Sequence, residues 1–358
     1  MTMKRIDILK KIAFKSDKID GFLVFNSTNL TWLTDFSGAS ALLIPRNGES
    51  VVYVYGVNYS QARAELSDIT VELVRRGEDL MNKIVRKSSA LNIERMAADA
   101  LDLEKWLTFS RCMGEQKKLK LESGYLRDLR KVKDAREVEL LRRAGELTKE
   151  GMRVAQEVIA VGLKEYELAA EIEYAMRKLG SSGTAFDTIV ASGPCSAFPH
   201  GGCSDRIIKK GDLVIVDVGA TYKHYNSDMT RTFVVGNPSE KQKKLHRIVL
   251  NAQENAIRFL RPNTKTKDVD AIARGIIEKA GYGEAFVHSL GHGIGLEVHE
   301  LPTLGPDSKD VLAIGNVVTA EPGIYLVGYG GIRIEDTVLV QNNGAEKLTN
   351  GHYAIDGE

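Results

Sequence analysis

Residues 213–220 read LVIVDVGA. Apolar side chains stand on both faces of this run, so it reads as a strand covered on both sides. Asp217 interrupts it. An acid is almost never fully buried unless it is paired or bound to a cation. Left alone it would cost several kcal/mol or take up a proton.

The same anomaly recurs a hundred residues later. Gly211 opens the first strand and Asp217 follows six residues on; Gly315 and Glu321 repeat that spacing in GNVVTAEPGIY. A helical segment precedes each strand, LKEYELAAEIEYAMRKLG in one case and TKDVDAIARGIIEKAG in the other. Leu168 to Asp217 spans 49 positions and Val269 to Glu321 spans 52. A second acid follows each first one, Asp228 after 11 residues and Glu335 after 14. Such self-similarity predicts two related α/β halves about a pseudo-twofold axis, sharing one site.

Four carboxylates meeting in a low-dielectric interior repel one another strongly. Either most are protonated or cations fill the space, and two divalent ions would balance four negative charges. The run SLGHGIGLEVHE (289–300) then acquires a purpose. The chain has seven histidines, and His288, His292 and His299 crowd here in a segment too glycine-rich to favour a helix. One histidine can complete a coordination shell while the glycines bring the backbone close to the ions. Oxygen-rich ligation with one nitrogen suits Mn, Co, Fe or Zn. Two ions about 3.5–4 Å apart can bridge a hydroxide and polarise a carbonyl, which implies hydrolysis of an amide or ester.

Each element has a plainer reading. Asp217 and Glu321 could be turn acids at strand ends, Asp228 a turn cap after Asn226-Ser227, and Glu335-Asp336 a solvated edge pair. Arg333 lies two residues before Glu335, which puts it on the same strand face, as a surface arginine or as a partner orienting the carboxylates. The joint pattern favours the functional reading, because independent accidents would have to coincide.

Bulk properties exclude other classes. With 49 basic and 48 acidic residues in 358, net charge is +1, no footprint for nucleic acid. No apolar run is long enough for a membrane span, and the start MTMKRIDILKK is no signal peptide. Three cysteines, Cys112, Cys195 and Cys203, argue for free thiols and a cytoplasmic location. Cys195, His200 and Cys203 could suggest zinc but lack a fourth partner. The first part of the chain alternates strand-like runs (21–25, 41–45, 51–55, 69–74) with a helix at 57–66, and Asn47-Gly48 signals a hairpin turn. LRDLRKVKDAREVELLRRAGELTKEGMRVAQEVIA then reads as a long amphipathic helical stretch, with Asp134 and Glu137 as a capping box. Domains are expected at 1–128 and 129–358.

The segments VIVDVGA, YNSDMTRTF, HSLGHGIGLEVHE, TAEPGIY and GIRIED, in that order, resemble the pita-bread metallopeptidases. That family holds proline dipeptidases (prolidases), Xaa-Pro aminopeptidases and methionine aminopeptidases. DGFLVFNSTNLTWLTDFSG resembles the creatinase-type N-terminal domain of the proline-directed branch, which short methionine aminopeptidases lack. The resemblance implies a creatinase-like α/β domain ahead of a pita-bread domain of pseudo-twofold α/β halves.

It also implies two divalent ions per subunit, with Asp228 and Glu335 bridging them, Asp217 on one, and His292 and Glu321 on the other. Glu321 would take and return the proton of a bridging water. His200, His288 and His299 would face the substrate, with Thr230, Tyr325 and Arg333 close by. The implied reaction is cleavage before proline through a metal-bridged hydroxide, by an Xaa-Pro dipeptidase or by an Xaa-Pro aminopeptidase acting on longer peptides. A homodimer is expected by analogy, with small proline-containing peptides as substrates. A metal-free hydrolase like creatinase, or a homologue kept for binding, should have lost ligands, and none is missing here. Two positions depart from the family pattern: Thr303 stands where many members have arginine, and Asp35 where glycine is common.

Overall fold

A computed structural model describes residues 4–16, 18–113, 118–201 and 205–355. The chain divides into two compact units, 1–129 and 130–358.

The first unit is a six-stranded mixed sheet with helices between its strands. Its strands are β1 (Gly21–Val24), β2 (Ala41–Pro45), β3 (Val51–Tyr55), β4 (Thr70–Val74), β5 (Arg95–Ala98) and β6 (Lys118–Leu121). The order is β4-β3-β2-β1-β5-β6. β1, β2 and β3 form an antiparallel meander, while β4, β5 and β6 add in parallel at the two sides. β1 and β2 are buried along their whole length, as their unbroken apolar sequences require. The helix expected at 57–66 runs from Gly56 to Glu65. The two parallel strands beyond β1 were not among the runs read from the sequence: RMAA and KLKL lack β-branched residues.

The stretch from Leu126 to Ala160, expected as one helical run, is two helices, Gly124–Arg130 and Ala135–Val158. Asp134 starts the second. Its carboxylate accepts the Glu137 amide at 2.8 Å, and Glu137 accepts the Asp134 amide in return. Leu141, Ala144 and Leu147 then fall on the buried face, each leucine worth roughly 1.5–3 kcal/mol.

The second unit shows the two related halves. Each has a long helix opened by a capping box, Ala135–Val158 in one and Glu240–Phe259 in the other. A 14-residue helix follows in each, Glu165–Lys178 and Thr266–Lys279. The residue before that helix makes an antiparallel bridge, Lys164 with Ile207 and Lys265 with Val311. Gly211 and Gly315 both turn the chain with φ near +87° (+86° and +88°). The acid-bearing strands, Leu213–Val218 and Val317–Ala320, pair antiparallel with Met229–Val234 and Asp336–Gln341. Leu168 and Val269 are both fully buried at matching helix positions.

One thiol expectation fails. Cys112 is free, but Cys195 is disulfide-bonded and so cannot serve as a zinc thiolate; Cys203 lies outside the described residues.

Candidate metal centre

Asp217 lies inside its strand, but the other three acids flank theirs. Asp228 precedes Met229–Val234, Glu321 follows Val317–Ala320, and Glu335 precedes Asp336–Gln341. Asp217, Asp228 and Glu335 are buried and so are not solvated turn acids, while Glu321 is partly exposed beside His292. Glu335 also does not share a strand with Arg333, because it falls in the short break between Gly330–Arg333 and Asp336–Gln341.

The site forms where the two halves meet. Asp228, His292 and Glu335 bring ligand-capable atoms within 4.8 Å of one another. Nε2 of His292 stands 3.4 Å from Glu321 Oε1 and 3.8 Å from Asp228 Oδ2. Asp217 joins through Arg333, whose Nη2 meets Asp217 Oδ2 at 2.6 Å. Arg333 also donates to Thr230 Oγ1, and Thr230 donates to Glu335 Oε2 at 2.7 Å. One guanidinium thus links carboxylates of both halves.

At this site three buried carboxylate oxygens find no hydrogen-bond partner among the described residues: Asp217 Oδ1, Asp228 Oδ1 and Glu335 Oε1. Each such group costs about 1–3 kcal/mol or more if it stays unpaired. Without a cation, burial first and then repulsion among the acids push Asp228 and Glu335 well above the ordinary carboxylate range. Burial drives Glu321 up to about 8. Hard oxygen donors aimed at one small space, with one imidazole, are the donor set that divalent ions accept. The residues therefore fit the metal that the sequence implied.

His292 is poised for that task. Its Nδ1 lies 3.1 Å from the Gly293 carbonyl, so Nδ1 carries the proton and the Nε2 lone pair faces the acids. Burial, then the neighbouring His299, holds it neutral with a pKa lowered to about 4. Close approach is what the glycines of this run allow. A Cβ on Gly291 would sit 2.2 Å from the Thr319 carbonyl oxygen, and one on Gly293 would sit 2.3 Å from that of Leu301. They let neighbouring strands pass close, and that contact carries His292 inward.

The other histidines differ in exposure: His288 is part-buried, while His200 and His299 are exposed. His288 is also lowered to about 4, chiefly by burial. Its Nδ1 meets the Ser289 carbonyl, so Nε2 accepts from Tyr325 Oη at 2.9 Å. Tyr325 in turn accepts from Arg333 Nη1 at 2.9 Å. His299 is exposed, its ring centroid 4.3 Å from that of His292. His200 is exposed and follows Pro199, whose carbonyl accepts from Arg333 at 3.3 Å.

Several supporting residues carried no local signal in the sequence. Thr319 accepts the His292 amide and donates to Glu321 Oε1. Arg231 grips the carbonyls of Thr230 and Glu335 and pairs with Asp336 at 2.8 Å, both side chains almost fully buried. Gln253 and Tyr353 donate to the other Asp336 oxygen.

Comparison with known proteins decides the family. Residues 139–342 match metallopeptidase family M24, and residues 5–143 match the creatinase/prolidase N-terminal domain. The chain belongs to metallopeptidase family M24. A relative in Pyrococcus horikoshii, named Xaa-Pro dipeptidase, is 42% identical over 95% of this chain and 96% of its own length. Among solved structures, an Xaa-Pro dipeptidase from Bacillus anthracis superposes with TM-score 0.93 at 34% identity, covering 98% of both chains. An X-Pro aminopeptidase from Thermotoga maritima gives 0.87 at 38% identity, covering 94% of this chain and 97% of its own. The M24 fold expected from the motifs, with its creatinase-type front domain, is confirmed, and the chain is a metallopeptidase. No helix among the described residues is long and apolar enough to cross a membrane.

Proposed function

We propose that the chain is an Xaa-Pro dipeptidase that uses two divalent ions held by Asp217, Asp228, His292, Glu321 and Glu335. The clustering of Asp228, His292 and Glu335 within 4.8 Å, with a partnerless buried oxygen on each of the two acids, carries this reading. The ions, when bound, lower the pKa of water to supply a nucleophile near neutral pH and polarise the scissile carbonyl.

The chain's own groups supply the rest. Arg333 and Thr230 hold Asp217 and Glu335 in fixed orientations, which lowers the reorganisation needed at each turnover. Glu321, whose Oε1 stands 3.4 Å from His292 Nε2, would take a proton and return it to the leaving proline nitrogen. His299, exposed beside His292, would donate to a developing oxyanion. Nε2 of His288 is held by Tyr325, so its contact with substrate is best made with that hydroxyl as a pair. His200 would close the rim. Residues 129–358 would carry the chemistry, after a first unit proposed as residues 1–128, in a cytoplasmic homodimer.

A second reading, Xaa-Pro aminopeptidase, is favoured by Thr303. Its side chain is exposed and uncharged where a free substrate carboxylate would need a cation, and its amide is taken by Asp310 at 3.2 Å. Metal-loaded protein incubated with Ala-Pro and Ala-Pro-Ala separates the two. Proline release from the dipeptide alone supports the dipeptidase. Preferential cleavage of the tripeptide supports the aminopeptidase, and no cleavage of either with Mn, Co or Zn removes both.

A further inference from the structure

His299 is exposed, touches the His292 ring, and receives no hydrogen bond on its own ring from the described residues. Its position must therefore come from its backbone. The next residue supplies the anchor. Glu300 Oε1 meets Arg130 Nη2 at 2.5 Å, and Oε2 meets Lys133 Nζ at 3.3 Å. These side chains are only 5%, 5% and 1% exposed for Glu300, Arg130 and Lys133.

The carboxylate lies in the hollow of the 295–300 loop. It accepts the Glu297 amide at 2.9 Å, and a Cβ on Gly295 would stand 2.9 Å from Oε2. Burial alone would raise the Glu300 pKa, but Lys133 and Arg130 outweigh it and hold the group below its ordinary value. Arg130 also reaches Glu297 at 2.6 Å, so two cations face two carboxylates. Asn226 ties down the other side of the loop: its amide donates to the Gly295 carbonyl and its Nδ2 to that of Leu296. Asn226 is two residues from Asp228, so the loop is referenced to the same strand end as that acid.

We propose that Glu300, clamped by Arg130 and Lys133, is a positioning residue that acts on catalysis through His299. This rests on His299 facing the substrate in an Xaa-Pro peptidase. A buried carboxylate with two cationic partners has one low-energy placement, and it fixes the loop that carries an otherwise unanchored imidazole. A displacement of about 1 Å at such a group can cost about a hundredfold in rate.

The test is a double-mutant cycle on the full-length, metal-loaded protein with Ala-Pro as substrate, using H299A, E300Q and the double variant, with R130K and R130M alongside. E300Q should lower kcat about ten- to a hundredfold, with KM and bound metal little changed. In the H299A background the same change should cost no more than about twofold. R130K should retain most activity, while R130M should behave like E300Q. Equal losses from E300Q with and without His299 would overturn the proposal, as would wild-type kcat in E300Q. Should E300Q fail to fold, the R130M effect, measured with and without His299, decides by the same criterion. A fully active H299A variant would remove the role of His299, and this inference with it, while leaving the peptidase standing. A wild-type chain inactive on Xaa-Pro peptides would instead remove the peptidase reading.

Discussion

Asp228 shows how one residue trades stability for function. It is buried, one of its oxygens has no partner, and Glu335, Asp217 and Glu321 surround it. Asp228→Asn keeps the shape but removes the ionisable group. It should cut turnover at least about a thousandfold, while the metal-free variant should be more stable than metal-free wild type at pH 8 by about 1–3 kcal/mol. Denaturant titration with chelator present checks the second half; a less stable variant would mean that the acids are not in conflict. Glu321 adds a pH signature. Its pKa is about 8 in the folded chain against 4.5 for an ordinary glutamate. Folding is then favoured fully below pH 4.5, and stability is lost as pH rises through 8. Metal-free protein should therefore become easier to unfold between pH 5 and 9, and added divalent metal should flatten the trend. A stability that rises over this range would contradict the buried placement of Glu321. Asp217 was legible in the sequence because an acid in an apolar strand breaks a strong rule, and Glu321 because it repeats the six-residue spacing from a glycine. Arg231 and Asp336 were not, because a pair 105 positions apart leaves no local pattern.

Elements were legible where a local rule sets them. The Asp134–Glu137 capping box marks the helix that begins at Ala135. Asp134→Ala should cost about 1 kcal/mol, a fall of roughly 2–4 °C in melting temperature for a unit of this size. Its kcat should stay unchanged, since neither residue touches the acids; a loss of activity at unchanged stability would show that this helix end is coupled to the site. The Asp35 departure also resolves at this scale. Asp35 ends the helix Ser27–Thr34 with φ +56°, the left-handed conformation that glycine adopts most easily, and its carboxylate lies 3.7 Å from Arg5. Aspartate is among the few residues besides glycine that take up this conformation readily. β5 and β6 escaped the sequence reading because parallel pairing at the side of a sheet is decided by neighbours far along the chain. The break between the helices at Lys131–Lys133 escaped it because the two lysines there have good helix propensity; Lys133 is drawn out of helix by Glu300 and by its amide bond to the Gly315 carbonyl.

Across the whole second unit, the site is a seam between two related halves. Asp217 and Asp228 come from one, and His292, Glu321 and Glu335 from the other. Protein contacts already cross the seam: the Asp228 amide and carbonyl both bond the Thr337 hydroxyl, Glu335 donates its amide to the Thr230 carbonyl, and Arg231 holds the Glu335 carbonyl. Metal removal should therefore loosen the seam without separating the halves. At a free metal concentration a hundred times the Kd, binding contributes about 2.7 kcal/mol, so chelation should lower the melting temperature by roughly 5–10 °C and re-addition should restore it. Hydrogen exchange locates the effect. Amides in 226–232, 291–300 and 317–337 should exchange faster in stripped protein, while those of β1 to β3 in the first unit should not change. Uniform acceleration over both units would mean that the ions support the fold as a whole. Unchanged exchange along the seam would mean that the five ligands are held by protein contacts alone, and that the unpaired oxygens of Asp217, Asp228 and Glu335 have another explanation.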